Sequence, residues 1–290
     1  LNKKAYIVID NPTSSIIPLM NTFRDNQDYE ADMFVNNHEA KEIMDDNTLL
    51  VVVDTNKPSI TQCEDLLYMA KMIVVLDHHR QGSDTIRNSV LSYIEPYASS
   101  ASEMVAEILQ YFTEGIRIRN VEADSIYAGI MIDTDNFMQK TGVRTFEAAA
   151  FLRRCGADVT RVRKLFREDM NDYKARGETI RNAELFRGQF AISECPSDYV
   201  DSPTVVGAQA ANELLNIVGV KASFVLTEYK GVIYISARAI DEVNVQIIME
   251  RMGGGGHLNM AGCQLETVNM EGARNLLKST LTEMQDGGEI

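Results

Sequence analysis

Cysteine is sparse and scattered in this chain. Cys63, Cys155, Cys195 and Cys263 are the whole set, and none forms a Cys-x-x-Cys pair. That excludes a disulfide frame and a zinc knuckle, and it reads as the reduced thiols of a cytosolic protein. Long apolar runs are missing too. Leu49–Val53 and Met72–Leu76 are the longest strongly apolar stretches, far short of the roughly 18–20 residues that cross a bilayer. No positively charged segment with an apolar core opens the chain, so no secretory signal is read here. Nor does the chain open with Met, and the expectation is an internal piece of something longer. Positive charge is the last shortage: 28 Lys and Arg stand against 42 Asp and Glu, a net charge of −14. A surface of this sign repels the backbone of long nucleic acids, which binds to basic stripes that release counterions. A small phosphorylated ligand stays compatible if metal ions or local cations neutralise it.

What is present fills two domains. The 290 residues, 45% of them hydrophobic, suffice for two cores of ordinary size. In the first half, Ala5–Asp10, Leu49–Asp54 and Met72–Asp77 are apolar runs that each end in aspartate. Helix-like segments lie between them: Asn37–Asp46, and one starting after Pro58 with Ser59 as N-cap and Leu66, Leu67 and Ala70 on one face. This alternation predicts a mostly parallel sheet covered on both sides, with its ligand site beyond the strand ends where the aspartates fall. Ser100 and Glu103 have capping-box spacing ahead of Val105 and Ile108. Ala123–Ile132 and Thr145–Cys155 read as further helices, and the charged stretch 161–188 as a helical connector. Beyond it, Phe190–Ser193, Ala222–Tyr229 and Val232–Ala237 read as strands, with a hairpin turn at Glu228–Gly231 and helices near Val205–Val218 and Gly272–Met284. The expected organisation is therefore residues 1–160, the connector, and a smaller α+β domain over 189–290.

Chemistry concentrates in two places. Of four histidines, His78 and His79 are adjacent and follow Asp77 directly after an apolar strand. Asp54 ends its strand in the same way, and Asp133 follows Gly129-Ile-Met-Ile132. Singly, such aspartates serve as helix caps or turn formers. Together with His78 they make a mixed N/O ligand set suited to Mn²⁺ or a similar divalent ion, the kind a phosphoryl site needs. The second place is Gly253-Gly-Gly-Gly256-His257-Leu-Asn259. Glycines there allow backbone N–H groups to approach a phosphate or base, with His257 and Asn259 able to bond to it; the bland alternative is a linker. Arg238, after a strand, and Arg80, beside the histidines, read either as phosphate clamps or as surface arginines.

The strings Val51-Val-Val-Asp54, Leu76-Asp-His-His-Arg80, Tyr93-Ile-Glu-Pro-Tyr-Ala-Ser-Ser100, Gly129-Ile-Met-Ile-Asp133-Thr and Gly253-Gly-Gly-Gly-His257 resemble the DHH phosphoesterase superfamily with its DHH-associated C-terminal domain. Phe146-Glu-Ala-Ala, Phe151-Leu-Arg-Arg, Gly156-Ala-Asp and Asn244-Val-Gln-Ile-Ile-Met-Glu are similar to one branch, the cytoplasmic catalytic part of membrane-anchored cyclic-di-AMP phosphodiesterases (GdpP type). The resemblance implies an α/β fold: a parallel Rossmann-like domain, then a smaller α+β domain, with the active site in the cleft between them. It implies two Mn²⁺ ions, with Asp54 bridging and His78 and Asp133 binding one of them. Asp77, His79 and Arg80 would orient ligands or assist catalysis, while Arg238, Gly254, Gly255, Gly256, His257 and Asn259 would hold the nucleotide. The reaction implied is hydrolysis of cyclic di-AMP to pApA at the cytoplasmic face of the membrane. The family's first motif, His-x3-Asp-x-Asp, is absent from these 290 residues and is expected upstream of Ala5–Asp10. His38 does not replace it, because its neighbours lack that spacing.

Two other readings stay open at this point. One is a DHH enzyme that trims very short RNA or dephosphorylates pAp; the other is a nucleotide-binding module without catalysis. The expected partner is a cyclic dinucleotide, with no long nucleic acid and no membrane contact by this segment, and a homodimer left open.

Overall fold

The computed structural model describes every residue except 1–2, 14–15, 113–114, 168 and 241–242. In chain order the elements are β1 (Ile7–Val8), α1 (Ile17–Arg24), β2 (Phe34–Val35), α2 (Asn37–Ile43), β3 (Leu49–Val53), a 3₁₀ turn at Pro58–Ile60, α3 (Asp65–Met69), β4 (Met72–Asp77), β5 (Leu91–Ile94), α4 (Ala101–Phe112), α5 (Asn120–Asp133), α6 (Val143–Arg154) and α7 (Val159–Leu165). Then follow α8 (Met170–Arg181), β6 (Glu184–Phe186), β7 (Phe190–Cys195), α9 (Pro203–Leu214), β8 (Ala222–Tyr229), β9 (Val232–Ala239), α10 (Val245–Arg251), β10 (Gly255–His257), β11 (Met260–Leu265) and α11 (Met270–Asp286). The chain divides into two compact units, 1–167 and 168–290.

In the first unit β3, β4 and β5 form a parallel sheet in that order, with Leu49 opposite Met72 and Val74 opposite Leu91. β1 and β2 form a separate parallel pair. Alternate residues Val52, Ile73 and Val75 bury one sheet face against Leu67 and Ile86, as period-two patterning requires. Leu50 and Leu66 pack with Val8, Val35 and Ala40, which joins the two-stranded pair to the same helical layer. The other face of β3 departs from the expected cover on both sides. Leu49, Val51 and Val53 are 50%, 48% and 51% exposed, because among the described residues no helix packs flat on them. Beside the sheet, α4–α7 share a core of Ala106, Ala128, Ile130, Leu152 and Val162. A Cβ at Gly129 of α5 would lie 2.1 Å from Ser102 Oγ of α4, so these helices cross at glycine distance.

The helix expected after Pro58 is broken in two. Pro58 opens only the 3₁₀ turn, the chain turns extended at Thr61, and α3 starts afresh at Asp65; Ser59 caps nothing. The stretch read as a connector is shared between the units. Arg161 of α7 bonds the buried Asp124 carboxylate of α5 at 2.6 and 3.1 Å, which ties α7 to the first unit. In the second unit Thr179 of α8 accepts the Ser193 hydroxyl at its carbonyl (2.6 Å), and Arg176 pairs with Glu213 of α9.

The second unit holds a six-stranded sheet in the order β10-β11-β9-β8-β7-β6, antiparallel except for the β7–β8 pair. One face buries Phe190, Phe224, Ile235 and Ala237 against Ile248, Met249, Leu277 and Leu281 of α10 and α11. On the opposite face, α9 sets Val206, Ala210 and Leu214 against Ala191 and Val225. Lys230 and Gly231 join β8 to β9 with φ of 51° and 78°. Both central residues being left-handed makes this the tight hairpin that suits strand twist.

Candidate active site

Three strand or helix ends converge in the first unit. β4 ends in Asp77, which is fully buried. Its Oδ1 accepts the His79 backbone N–H at 3.1 Å and lies 2.7 Å from His79 Nδ1. Its Oδ2 accepts Asn56 Nδ2 at 2.5 Å. A buried carboxylate is tolerable only with such a full set of donors. Asp77 is thus an anchor inside the protein, and with Nδ1 committed to it the His79 ring presents Nε2 outward. His78 turns the other way. Its Nδ1 sits 3.3 Å from the Ala98 carbonyl oxygen, and its Nε2 lies 3.3 Å from Asp54 Oδ1 and 3.8 Å from Asp133 Oδ2. Donor atoms of Asp54, His78 and His79 all lie within 4.8 Å of one another. His79 therefore joins two of the expected ligands in this group, and Asp133 is not part of it.

Asp54 has φ of 64°, a left-handed conformation uncommon outside glycine. Its N–H donates to the Leu76 carbonyl at 3.0 Å and so extends the β3–β4 ladder past the strand. The backbone then turns at the position where the carboxylate faces His78. Strain of this kind, held by surrounding structure, gathers at functional sites. Asp133 is the last residue of α5, where the negative end of the helix dipole already disfavours a carboxylate. Burial, then the nearby Asp54 charge, pushes its pKa up against the opposing pull of His78, His79 and Lys140. The His78 pKa is also raised, chiefly by its bond to Asp54 and further by Asp133, with burial opposing. Two carboxylates and an imidazole thus crowd together at one end of the sheet. Asp54, His78 and His79 offer donors close enough to hold a divalent cation of the kind that accepts oxygen and imidazole ligands, with Asp133 3.8 Å from His78 beside them. A cavity of about 400 Å³ adjoins both carboxylates, walled by Val53, Val105, Ile126 and Ile132. Arg80 is exposed and makes no ion pair among the described residues. His38 is occupied elsewhere: its backbone N–H bonds the α2 cap Asn36, and its ring pairs with Glu42.

The nucleotide-binding candidates all fall in the second unit, on neighbouring strands. The register puts Gly255, Gly262, Ser236 and Val225 in one cross-strand row and His257, Met260, Arg238 and Ser223 in the next. Residues so paired share a face. Arg238 gives Nη1 to the Ala237 carbonyl (2.9 Å), while its Nε is buried without a partner; burial holds its pKa below the ordinary guanidinium value. Two glycines of the run are explained by packing alone. A Cβ on Gly254 would lie 2.1 Å from the Gly262 carbonyl oxygen, and one on Gly256 would lie 2.5 Å from Ala261 Cα. Gly255 has neither a neighbour within 4 Å nor a positive φ. It is the one member of β10 whose lack of a side chain the fold does not require. His257 and Asn259 are exposed at the β10–β11 turn, and the Asn259 carbonyl accepts the Ala239 N–H at 3.0 Å. The run is therefore a strand and its entry, not a linker.

Sequence reasoning missed Asn56, whose amide holds Asp77 and, at 3.3 Å, the His79 carbonyl. It noticed Glu103 as a capping residue but not that this carboxylate is buried.

Residues 8–130 match the DHH family, N-terminal domain, and residues 190–283 match the DHHA1 domain. The chain belongs to the DHH family. The DHH match takes in Asp54, Asp77, His78 and His79, and the DHHA1 match takes in Arg238 and the glycine run. This DHH chain is 41% identical to the cyclic-di-AMP phosphodiesterase GdpP of Bacillus subtilis (strain 168), over 99% of its own length and 44% of that protein's. It is 38% identical to the cyclic-di-AMP phosphodiesterase PdeA of Listeria monocytogenes, over 97% and 43%. The chain thus spans under half the length of these relatives. Among solved structures, an exopolyphosphatase-related protein from Bacteroides fragilis superposes with a TM-score of 0.80 at 20% identity, covering 97% of this chain and 83% of that one. That likeness is one of fold.

Proposed function

We propose that this chain is the catalytic part of a cyclic-di-AMP phosphodiesterase that opens the cyclic dinucleotide to pApA. The observation that carries the reading is the meeting of Asp54, His78 and Asp133 at the ends of β3, β4 and α5. Similarity to two proteins named for this activity, over nearly the whole chain, supports the choice of substrate. Asp54, His78 and Asp133 would hold divalent metal, with Mn²⁺ the choice that fits their N/O donors. In the fuller form of the reading two ions would be held, with Asp54 among the residues that hold them. When bound, such ions polarise the phosphoryl group and lower the pKa of water to make a nucleophile at neutral pH.

The chain's own residues do the rest. Asp77 fixes His79 through Nδ1, so that the imidazolium form of the ring would carry on Nε2 the proton that passes to the departing 3′ oxygen. Arg80 offsets phosphate charge. On the second unit, Arg238 and the bare backbone of Gly254, Gly255 and Gly256, with His257 and Asn259, bind the nucleotide. The deciding assay incubates the purified chain with cyclic di-AMP and Mn²⁺ and identifies products by mass. Residues 1–290 alone are expected to be nearly inactive, and formation of pApA that stops on chelation and vanishes in His78→Ala is expected when the segment bearing the first motif is restored; no turnover by that extended chain at saturating Mn²⁺ would remove the reading. The bifunctional oligoribonuclease and PAP phosphatase NrnA of Mycoplasma genitalium, 28% identical over 74% of this chain, supplies the rival substrate class. Faster turnover of pApA or pAp than of cyclic di-AMP would favour that class instead.

A further inference from the structure

Glu103 is 1% exposed and belongs to α4, away from the cation cluster in sequence and on a different element. Burying a carboxylate costs free energy unless it is well bonded, so its partners show what the burial achieves. Capping of α4 does not need it: Ser100 Oγ already accepts the Glu103 backbone N–H at 2.9 Å. The Glu103 carboxylate passes over the capping position and reaches one residue further back. There Oε2 accepts the Ser99 hydroxyl at 2.5 Å and the Ser99 backbone N–H at 3.3 Å. Arg144 stands 4.0 Å from the other oxygen, itself held at 2.6 Å by Glu107. Ala98, Ser99 and Ser100 are all buried. The segment so clamped presents the Ala98 carbonyl to His78 Nδ1.

We infer that Glu103, acting through Ser99, is a positioning residue that fixes the ring orientation and tautomer of His78. A carbonyl oxygen only accepts, so Nδ1 must carry the hydrogen, and the neutral ring then has its lone pair on Nε2, the atom facing Asp54 and Asp133. Were the Ala98 carbonyl free to swing away, the ring would lose both the aim and the tautomer that a metal ligand needs. Asp77 performs the matching task for His79, so each histidine of the pair is set by a buried carboxylate, one directly and one through a loop. The inference rests on the metal-site reading above.

The test measures Mn²⁺ binding by electron paramagnetic resonance of the free ion and Co²⁺ binding by visible absorption. It compares the parent chain with Glu103→Gln, Ser99→Ala, Glu107→Gln and Asp54→Ala. Ser99→Ala removes one hydroxyl and no charge, so it reports even if Glu103→Gln folds poorly. Loss of an outer partner of a ligating histidine usually weakens metal affinity by about 10–100-fold. A loss of that size is expected for Ser99→Ala and Glu103→Gln, with an altered Co²⁺ spectrum. Glu107→Gln, which loosens Arg144 but not the loop, should bind as the parent does. A merely structural role for Glu103 would lower the melting temperature of the ion-free chain and leave affinity and spectrum of the folded protein unchanged, and that result overturns the inference. If Asp54→Ala abolishes binding while both loop variants bind as the parent, the inference alone fails. If the parent binds neither ion, the metal-site reading fails and takes the inference with it.

Discussion

Asp54 combines the two features that make a residue hard to replace, a charge aimed at His78 and a backbone angle that side chains avoid. Asparagine tolerates the left-handed region as well as aspartate does, so Asp54→Asn separates charge from conformation. It should melt within a few degrees of the parent, since the side chain is more than half exposed. In the extended chain its Mn²⁺-dependent turnover should fall by at least about two orders of magnitude, beyond the loss usual for an outer-shell partner; retention of parental turnover would remove Asp54 from the site. Asn56 makes the opposite case. Its side chain is inside, and Asn56→Ala strips a donor from the buried Asp77 carboxylate, which should cost about 1–3 kcal/mol in urea unfolding. Two of the four cysteines, Cys195 and Cys263, are buried. Burial pushes the Cys263 thiol up to about 11 and raises Cys195 as well. Between the ordinary thiol range and about 11 the unfolded chain gives up the Cys263 proton while the folded one keeps it, so stability should decline with rising pH across that window. At pH 8 a thiol reagent should label half-buried Cys63 and spare Cys195 and Cys263 until urea is added. The Asp77-His78-His79 string was legible because a strand end announces itself through apolar residues that stop at a charge. Asn56 and Glu103 were not, because pattern alone does not tell a polar side chain that turns inward from one that meets water.

At the level of elements, the glycine run shows how one composition hides two roles. Gly254 and Gly256 let β10 lie close on β11, whereas Gly255 faces open space. Gly254→Ala and Gly256→Ala should each destabilise the second unit by roughly 1–3 kcal/mol or more through backbone overlap. Gly255→Ala should stay within about 0.5 kcal/mol, as surface changes do, yet weaken cyclic di-AMP binding if that face receives the nucleotide. Equal destabilisation by all three would mean that the open position is an illusion of the static fold. The β8–β9 hairpin could be read directly from Tyr229-Lys-Gly-Val232, because its turn chemistry is local. The β10–β11 pair could not, since a strand of glycines carries no alternation to read. The break between the 3₁₀ turn and α3 was hidden for a related reason: Leu66, Leu67 and Ala70 fit one helical face wherever the helix begins. The charged stretch 161–188 looked unattached because Asp124 and Glu213, which anchor its arginines, lie more than thirty residues from them.

For the whole molecule, the surplus of 14 negative charges acquires a purpose beyond discouraging nucleic acids once β3 is considered. That strand sits at the edge of its sheet and shows Leu49, Val51 and Val53 to the outside. An apolar edge is a template on which another strand can add. Mutual repulsion between chains is then a colloidal brake on that addition, and salt releases it as the screening length shrinks from about 10 Å at 0.1 M to about 3 Å at 1 M. Static light scattering of the isolated chain should therefore show attraction growing with sodium chloride. Val51→Lys, which places a charge on the open face without touching the buried one, should hold the chains apart at every salt concentration.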